Sequence, residues 1–388
     1  NTDASGSVTI DSMTWTAGYV GGTGGPTTLL GDSLFRPASA GGSLYFQSSA
    51  SLINNGTVLM EAGTLRWSTN TATLTNFGTL EVVSGSSLFY FTRTSALANS
   101  LPAQFINGVS GRLLVNQTQL LVSDLATRND GFVGVIGAGS SAATARLTFT
   151  DTSSAQERFT SSAVASIKLS FNAELILAMM STIEGSVESE GQELSTVKVT
   201  SFTTTIEGAS VSFPRLHVVG IGTQGAATVT VTDSAYFAEL DLSANNYFGY
   251  FRTEDNAMAT VGTMSWTSGY LSGLGTTTLL GGGIFDGGSA NGALYIQESP
   301  SLVNNGTVHW KQGRMSFQTT PGFGKFVNHG AMILDAGSAH AYASSSTAGA
   351  TVSVFNTASG SWSVNGTGTF YTSNIGFDNQ GSLGVSDG

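Results

Sequence analysis

Ser51-Leu-Ile-Asn-Asn-Gly-Thr-Val58 decides the fold, because it returns as Ser301-Leu-Val-Asn-Asn-Gly-Thr-Val308 and its Asn-x-Gly centre recurs between the two. Polar and apolar residues alternate on either side of the corner, as in half-buried strands. Asn54-x-Gly56 is followed by Asn76-x-Gly78, and Asn107 by Asn129-x-Gly131, each step about 22 residues. In the later copy Asn304-x-Gly306 leads to Asn328-x-Gly330, and Asn356 to Asn379-x-Gly381, at about 23 or 24 residues. About ten residues after most corners comes a second glycine turn, at Gly63, Gly85, Gly313 and Gly337. A unit of this length with two or three short strands is the size of one β-helix coil. The spacing predicts an all-β chain folded as a parallel β-helix, or β-solenoid, with about 22–24 residues per coil.

One coil cannot bury its own inward residues; the coils above and below must cover them and pair its backbone. Asparagines at matching positions can then bond one to the next as a side-chain amide ladder. The ladder positions read from the spacing are Asn54, Asn76, Asn129, Asn304, Asn328 and Asn379. The recurring corner glycines are expected to supply positive φ, which other residues tolerate poorly.

A longer period contains the short one. Met13-Thr-Trp-Thr-Ala-Gly-Tyr19 returns as Met264-Ser-Trp-Thr-Ser-Gly-Tyr270, and Thr27-Thr-Leu-Leu-Gly31 as Thr277-Thr-Leu-Leu-Gly281, an offset of about 250 residues. Residues 1–250 form the first solenoid repeat and 251–388 a partial second one. Residues 140–255 carry a weaker pattern and are expected to form irregular coils, with a small subdomain around Ala173 to Leu194 as the alternative. The chain starts at Asn1 and breaks off within a repeat, so a longer parent or an assembly of copies is expected.

Composition narrows the function classes. With 50 Gly and only 10% charged residues, tight turns dominate and long helices are excluded. The 22 Phe supply a core that a disordered chain lacks. A net charge of −11 with 14 Lys and Arg argues against nucleic-acid and anionic-lipid partners. No apolar run approaches the ~18 residues of a membrane span. Without cysteine there is neither a disulfide framework nor a thiolate metal site.

Four sequons, at Asn55, Asn116, Asn305 and Asn365, fit the N-glycosylation acceptor pattern, and they align in pairs between the copies. Asn55 adjoins a ladder position, so it is expected to face solvent while Asn54 faces its neighbour. His309 and His329 lie about one coil apart, but no third ligand has convincing spacing, so no metal or cofactor is expected. Carboxylates cluster as Glu184, Glu188, Glu190 and Glu193, which reads as a solvated loop. A second group, Asp233, Glu239 and Asp241, could set two acids on one strand face. Trp15, Tyr19, Trp266 and Tyr270 could form a sugar-stacking stripe, with core or coil-edge packing as the bland alternative. Charges change between copies, Glu61 against Lys311 and Asp32 against Gly282, while Trp, Tyr, Leu, Asn and Gly stay. A catalytic role is therefore not expected.

With coils such as Asn54-Asn-Gly56, Asn76-Phe-Gly78 and Asn328-His-Gly330, the chain resembles the repetitive parallel β-helix proteins of cell surfaces, including large adhesins and fibre proteins on pectin-lyase-like solenoids. That resemblance implies a right-handed parallel β-helix, secretion, and a role as rod, spacer or adhesive surface. The expected function is a structural subunit of a glycosylated extracellular filament, appendage or cell-surface fibre. Its expected partners are copies of itself stacked head to tail, or further repeats of a longer parent, together with covalent N-glycans. A carbohydrate-binding adhesin is the alternative, and a polysaccharide-degrading β-helix enzyme the more distant one.

Overall fold

The computed structural model describes residues 6–386 other than 23, 40, 69–70, 84–87, 94–102, 139–144, 152–157, 191–194, 209–210, 222–225, 289–291, 319–323, 336–339, 346–352 and 366–368. Gly85, Gly337 and Glu193 lie outside the described residues. Every described element is a strand. The chain forms two compact units, Asn1–Val197 and Lys198–Gly388, and each is a parallel β-solenoid. This partition follows packing, whereas the 250-residue repeat follows sequence.

In the first unit each coil contributes three strands. Ser51–Asn54, Thr57–Met60 and Thr64–Trp67 make one coil. They pair in parallel, respectively, with Thr73–Asn76, Thr79–Val83 and Phe89–Arg93 of the next. Leu52 therefore sits opposite Leu74 and Asn54 opposite Asn76. The weakly patterned stretch follows the same rule. Glu174–Ala178, Met180–Ile183 and Ser186–Glu190 pair with Arg146–Thr150, Arg158–Ser161 and Ser166–Ser170. The subdomain expected as an alternative near Ala173 is absent through Glu190; those residues are ordinary coils.

The second unit keeps three faces but merges strands around the corners. Ser234–Thr253 runs through a bend and pairs with Val211–Ile221 and Met258–Trp266, and its later residues with Ala227–Val231 and Gly269–Gly273. Thr276–Asp286 and Thr307–Gln318 do the same. Among the described residues no helix is long and apolar enough to cross a membrane.

Coil length varies more than the expected 22–24 residues. Steps along one face of the first unit are 22, 31, 22 and 32 residues. In the second unit they are 24, 28 and 23. Parallel pairing fixes the strands, not the links between them, and lengthening a surface link costs little closure entropy.

The interior takes alternate residues of each strand. Leu52, Leu74, Phe105 and Phe159 are buried on one face, each worth roughly 1.5–3 kcal/mol of apolar transfer. Aromatic rings continue from coil to coil: Phe46 stacks on Trp67 at 4.9 Å, and Phe91 meets Phe105 edge-on at 5.5 Å. Trp15 meets Phe35 edge-on at 5.2 Å, and in the second unit Trp266 meets Phe285 the same way at 5.3 Å.

The corner glycines have two different causes. Gly63 and Gly313 have φ of 87° and 95°, the left-handed region that excludes most side chains. The glycines of the Asn-x-Gly corners do not share that conformation. They pack directly over one another instead, so a Cβ on Gly78 would strike the Gly56 carbonyl oxygen, and one on Gly330 that of Gly306. Positive φ was the expected reason at these corners; close backbone approach is the actual one. Gly330→Ala is thus expected to lower the thermal midpoint more than Gly288→Ala. Gly288 has φ of 73° but open space around it, so that substitution costs about 1–2 kcal/mol. Comparing the two melts checks which constraint is stronger.

Candidate functional site

Asparagines at the end of one strand per coil meet across the stack. In the first unit Asn54 Nδ2 donates to Asn76 Oδ1, Asn76 Nδ2 to Asn107 Oδ1, and Asn107 Nδ2 to Asn129 Oδ1, each at 2.8 Å. Asn129 Nδ2 then donates to Ser161 Oγ at 3.2 Å. In the second unit Asn304 donates to Asn328 and Asn328 to Asn356 at 2.8 Å, and Asn356 to Asn379 at 2.6 Å. A second hydrogen goes to the backbone, from Asn54 to Thr79 O, from Asn76 to Arg112 O and from Asn304 to Ala331 O. Asn379 is exposed, whereas the other seven asparagines are buried. The first rungs, Asn54 and Asn304, lie opposite Leu29 and Leu279, so no asparagine donates to their Oδ1 from that side.

Asn107, Asn356 and Ser161 complete the ladders; the spacing sets Asn107 and Asn356 within the coil period, but neither they nor Ser161 are among the ladder positions assigned from it. The two asparagine corners are longer: the glycine that closes them comes four residues on, at Gly111 after Asn107 and at Gly360 after Asn356. Gly111 N bonds Gly108 O at 2.7 Å and Gly360 N bonds Thr357 O at 2.8 Å, closing an extra turn. A corner pattern admitting two more residues would have found both.

The proposed aromatic stripe divides. Trp15 and Trp266 are 6% and 0% exposed and pack on Phe35 and Phe285, so neither can offer a ring face to a sugar. Tyr19 is 59% exposed. Tyr270 lies between Tyr250 and Tyr295, with centroids at 4.4 and 4.6 Å and nearly parallel rings. Phe248 meets it edge-on at 5.2 Å. Both faces of Tyr270 are covered, which suits packing of a coil edge rather than stacking on a ligand. Burial first, and then the neighbouring Tyr250 and Tyr295, hold its hydroxyl above the ordinary phenol range.

The sequons also divide. Asn55 and Asn305 are exposed. Asn116 and Asn365 are half-buried, with Nδ2 turned to Glu81 Oε1 at 3.4 Å and to Asp335 Oδ1 at 3.0 Å. Thr367 lies outside the described residues.

The histidines do not converge. His309 Nδ1 contacts Asp335 Oδ2 at 2.6 Å, and His329 Nδ1 contacts Thr357 Oγ1 at 2.9 Å. Among the described residues no three His, Cys, Asp or Glu side chains are placed to hold a metal ion. Glu188 and Glu190 belong to a paired strand, not a loop. Lys168 Nζ lies 3.1 Å from Glu190. The hydrogen bond from Lys168, then that from Ser170, holds the Glu190 carboxyl below the usual carboxylate range.

One hollow in the second unit gathers charge. It measures about 430 Å³ and is lined by Arg215, Glu239, Asp241, Thr263, Ile284 and His309 over a floor of Gly281–Gly283. Parallel register brings these together: Arg215 faces Glu239, Glu239 faces Thr263, Thr263 faces Gly282, and Gly282 faces Thr307. Glu239 and Asp241 share one strand face and one guanidinium, Arg215, at 3.4 and 3.8 Å. His217 Nε2 bonds Ser243 Oγ at 2.8 Å and lies 3.7 Å from Asp241. The first copy carries Asp32 and Ser33 where the second has Gly282 and Gly283.

No protein-family model, curated protein or solved structure matches the chain.

Asn76→Ala removes the partners of the Asn54 amide, the Asn107 carbonyl and the Arg112 carbonyl together. A loss of about 3 kcal/mol in urea unfolding is expected, against about 0.5 kcal/mol or less for Asn55→Ala on the surface. The tyrosine stack predicts an alkaline effect. A raised phenol pKa stabilises the fold fully below its unfolded value of about 10, and that contribution is lost as pH rises through the folded value. Thermal midpoints should therefore fall at high pH, and less steeply in Tyr270→Phe.

Proposed function

We propose that the chain is a structural segment of a glycosylated extracellular filament, appendage or cell-surface stalk, of the same kind as the fibre proteins built on pectin-lyase-like solenoids. The observation that carries this reading is the pair of buried amide ladders. Buried amide pairs of this sort fix register and resist slippage, because a one-residue slip would orphan every rung. Such a device serves mechanical persistence rather than turnover. The internal duplication supports the same view, since residues that build the stack persist between copies while charges change. A coil's backbone groups pair only with another coil, so the natural partners are further coils of the same kind, in another copy or in a longer parent. Asn55 and Asn305, exposed at the corners, are the acceptor sites for the glycans. Electron microscopy of secreted material is expected to show fibres many chains long, and dispersed single chains would overturn the proposal.

A second reading, saccharide binding, is favoured by the hollow at Gly281–Gly283. Carboxylates, a guanidinium and an imidazole around an aliphatic floor can hydrogen-bond sugar hydroxyls from several directions. A glycan array tests it. Binding that is lost in both Ile284→Trp, which fills the hollow, and Arg215→Ala, which frees the two acids, would support an adhesive role. An array silent for the unaltered protein would remove it.

A further inference from the structure

Asn55-Gly56 and Asn305-Gly306 are the sequence context in which asparagine is most prone to spontaneous deamidation, because glycine leaves its backbone nitrogen unshielded. In that reaction the glycine nitrogen attacks the asparagine Cγ, and a C–N bond forms. The side-chain amide nitrogen departs as ammonia with the proton of the attacking N–H. The resulting succinimide then adds water to give aspartate or isoaspartate. Both asparagines are exposed at corners, where this chemistry is ordinarily fast.

The fold places a specific restraint on the attacking atom. Gly56 N donates to Asn54 Oδ1 at 3.1 Å, and Gly306 N donates to Asn304 Oδ1 at 3.1 Å. The orientation of each amide is fixed from its other side, since Asn54 Nδ2 is committed to Asn76 Oδ1 and Thr79 O, and Asn304 Nδ2 to Asn328 Oδ1 and Ala331 O. Asn54 and Asn304 are the two first rungs, whose Oδ1 receives no bond from a preceding asparagine. At later rungs that oxygen is occupied, and the residue that follows is Phe77, Asp130 or His329 rather than asparagine. Asn107, which does precede a glycine, has its own amide tied to Asn76, Asn129 and Phe132, and Gly108 N bonds Asn76 O at 2.8 Å.

We infer that the first-rung asparagines Asn54 and Asn304 protect the neighbouring exposed asparagines Asn55 and Asn305 from deamidation, by holding the glycine N–H that would otherwise lose its proton and attack. A donated N–H is both less acidic and turned toward its acceptor, away from the Asn55 side chain. The ladder thus preserves the chemical identity of the surface residue beside it. This holds whether or not Asn55 and Asn305 carry glycans, and it is tested on protein made without glycosylation.

The experiment follows aspartate and isoaspartate at residues 55 and 305 by peptide mapping during incubation at mildly alkaline pH. In the unaltered fold both sites should react far more slowly than in the urea-unfolded chain. Asn54→Ser is the informative variant. Serine already stands at the end of this column as Ser161, and its hydroxyl accepts from the N–H two residues on more weakly than an amide oxygen does, so the hold on Gly56 N is loosened. Deamidation at Asn55 should rise about five- to ten-fold, the share of one hydrogen bond, while Asn305 in the same molecule stays slow. Equal rates at Asn55 in folded Asn54→Ser and unaltered protein overturn the inference. So does fast hydrogen exchange at the Gly56 and Gly306 amides of the unaltered protein, a measurement that needs no variant to fold.

Discussion

Each coil must set the same backbone position directly over its equivalent in the next coil, and this in-register parallel stacking is the constraint from which the rest of the molecule follows. Once Asn54 lies opposite Asn76 and Leu52 opposite Leu74, like residues meet like. For apolar side chains that is simple burial. For asparagine it is productive because one amide carries both donors and acceptors, so identical groups can satisfy one another in a chain. For most charged residues it would be repulsive, and the outer faces answer with opposite charges at neighbouring positions. Arg146 faces Glu174 and Arg215 faces Glu239.

The same constraint governs what the corners tolerate. Strands rise together at a fixed spacing, so a tight corner brings successive peptide carbonyls onto one line. Glycine is needed there for want of room. The longer corners of Asn107–Gly111 and Asn356–Gly360 close a turn of their own but are just as crowded, since a Cβ on Gly111 would strike Asn76 O and one on Gly360 would strike Asn328 O. Steps between matching positions vary in length, because register is set where strands pair and a longer link adds little closure entropy.

Local features then arise as departures from repetition. The hollow of the second unit has Gly281–Gly283 as its floor, where the first copy has Gly31, Asp32 and Ser33. The restraint on Gly56 and Gly306 exists because a ladder must begin somewhere, and its first oxygen has no asparagine partner. The ion pairs on the faces are mostly part-exposed and add little, so the stability of the stack rests on its interior and its amides.

Period and alternation in the sequence were sufficient to determine the all-β class, the parallel coil, the duplicated copies and six of the ladder asparagines, because side-chain direction alternates strictly along a strand and a coil has a characteristic length. They also separated outward Asn55 from inward Asn54. What only the tertiary structure decided depends on distances between coils. Asn107, Asn356 and Ser161 join the ladders despite irregular spacing, since pairing acts in space across links of any length. Trp15 and Trp266 proved to be core, because an aromatic residue in a strand reads alike whichever side it faces. The meeting of Arg215, Glu239, Asp241 and His309 was likewise invisible in sequence, because residues up to 94 positions apart line one hollow only when five coils are stacked.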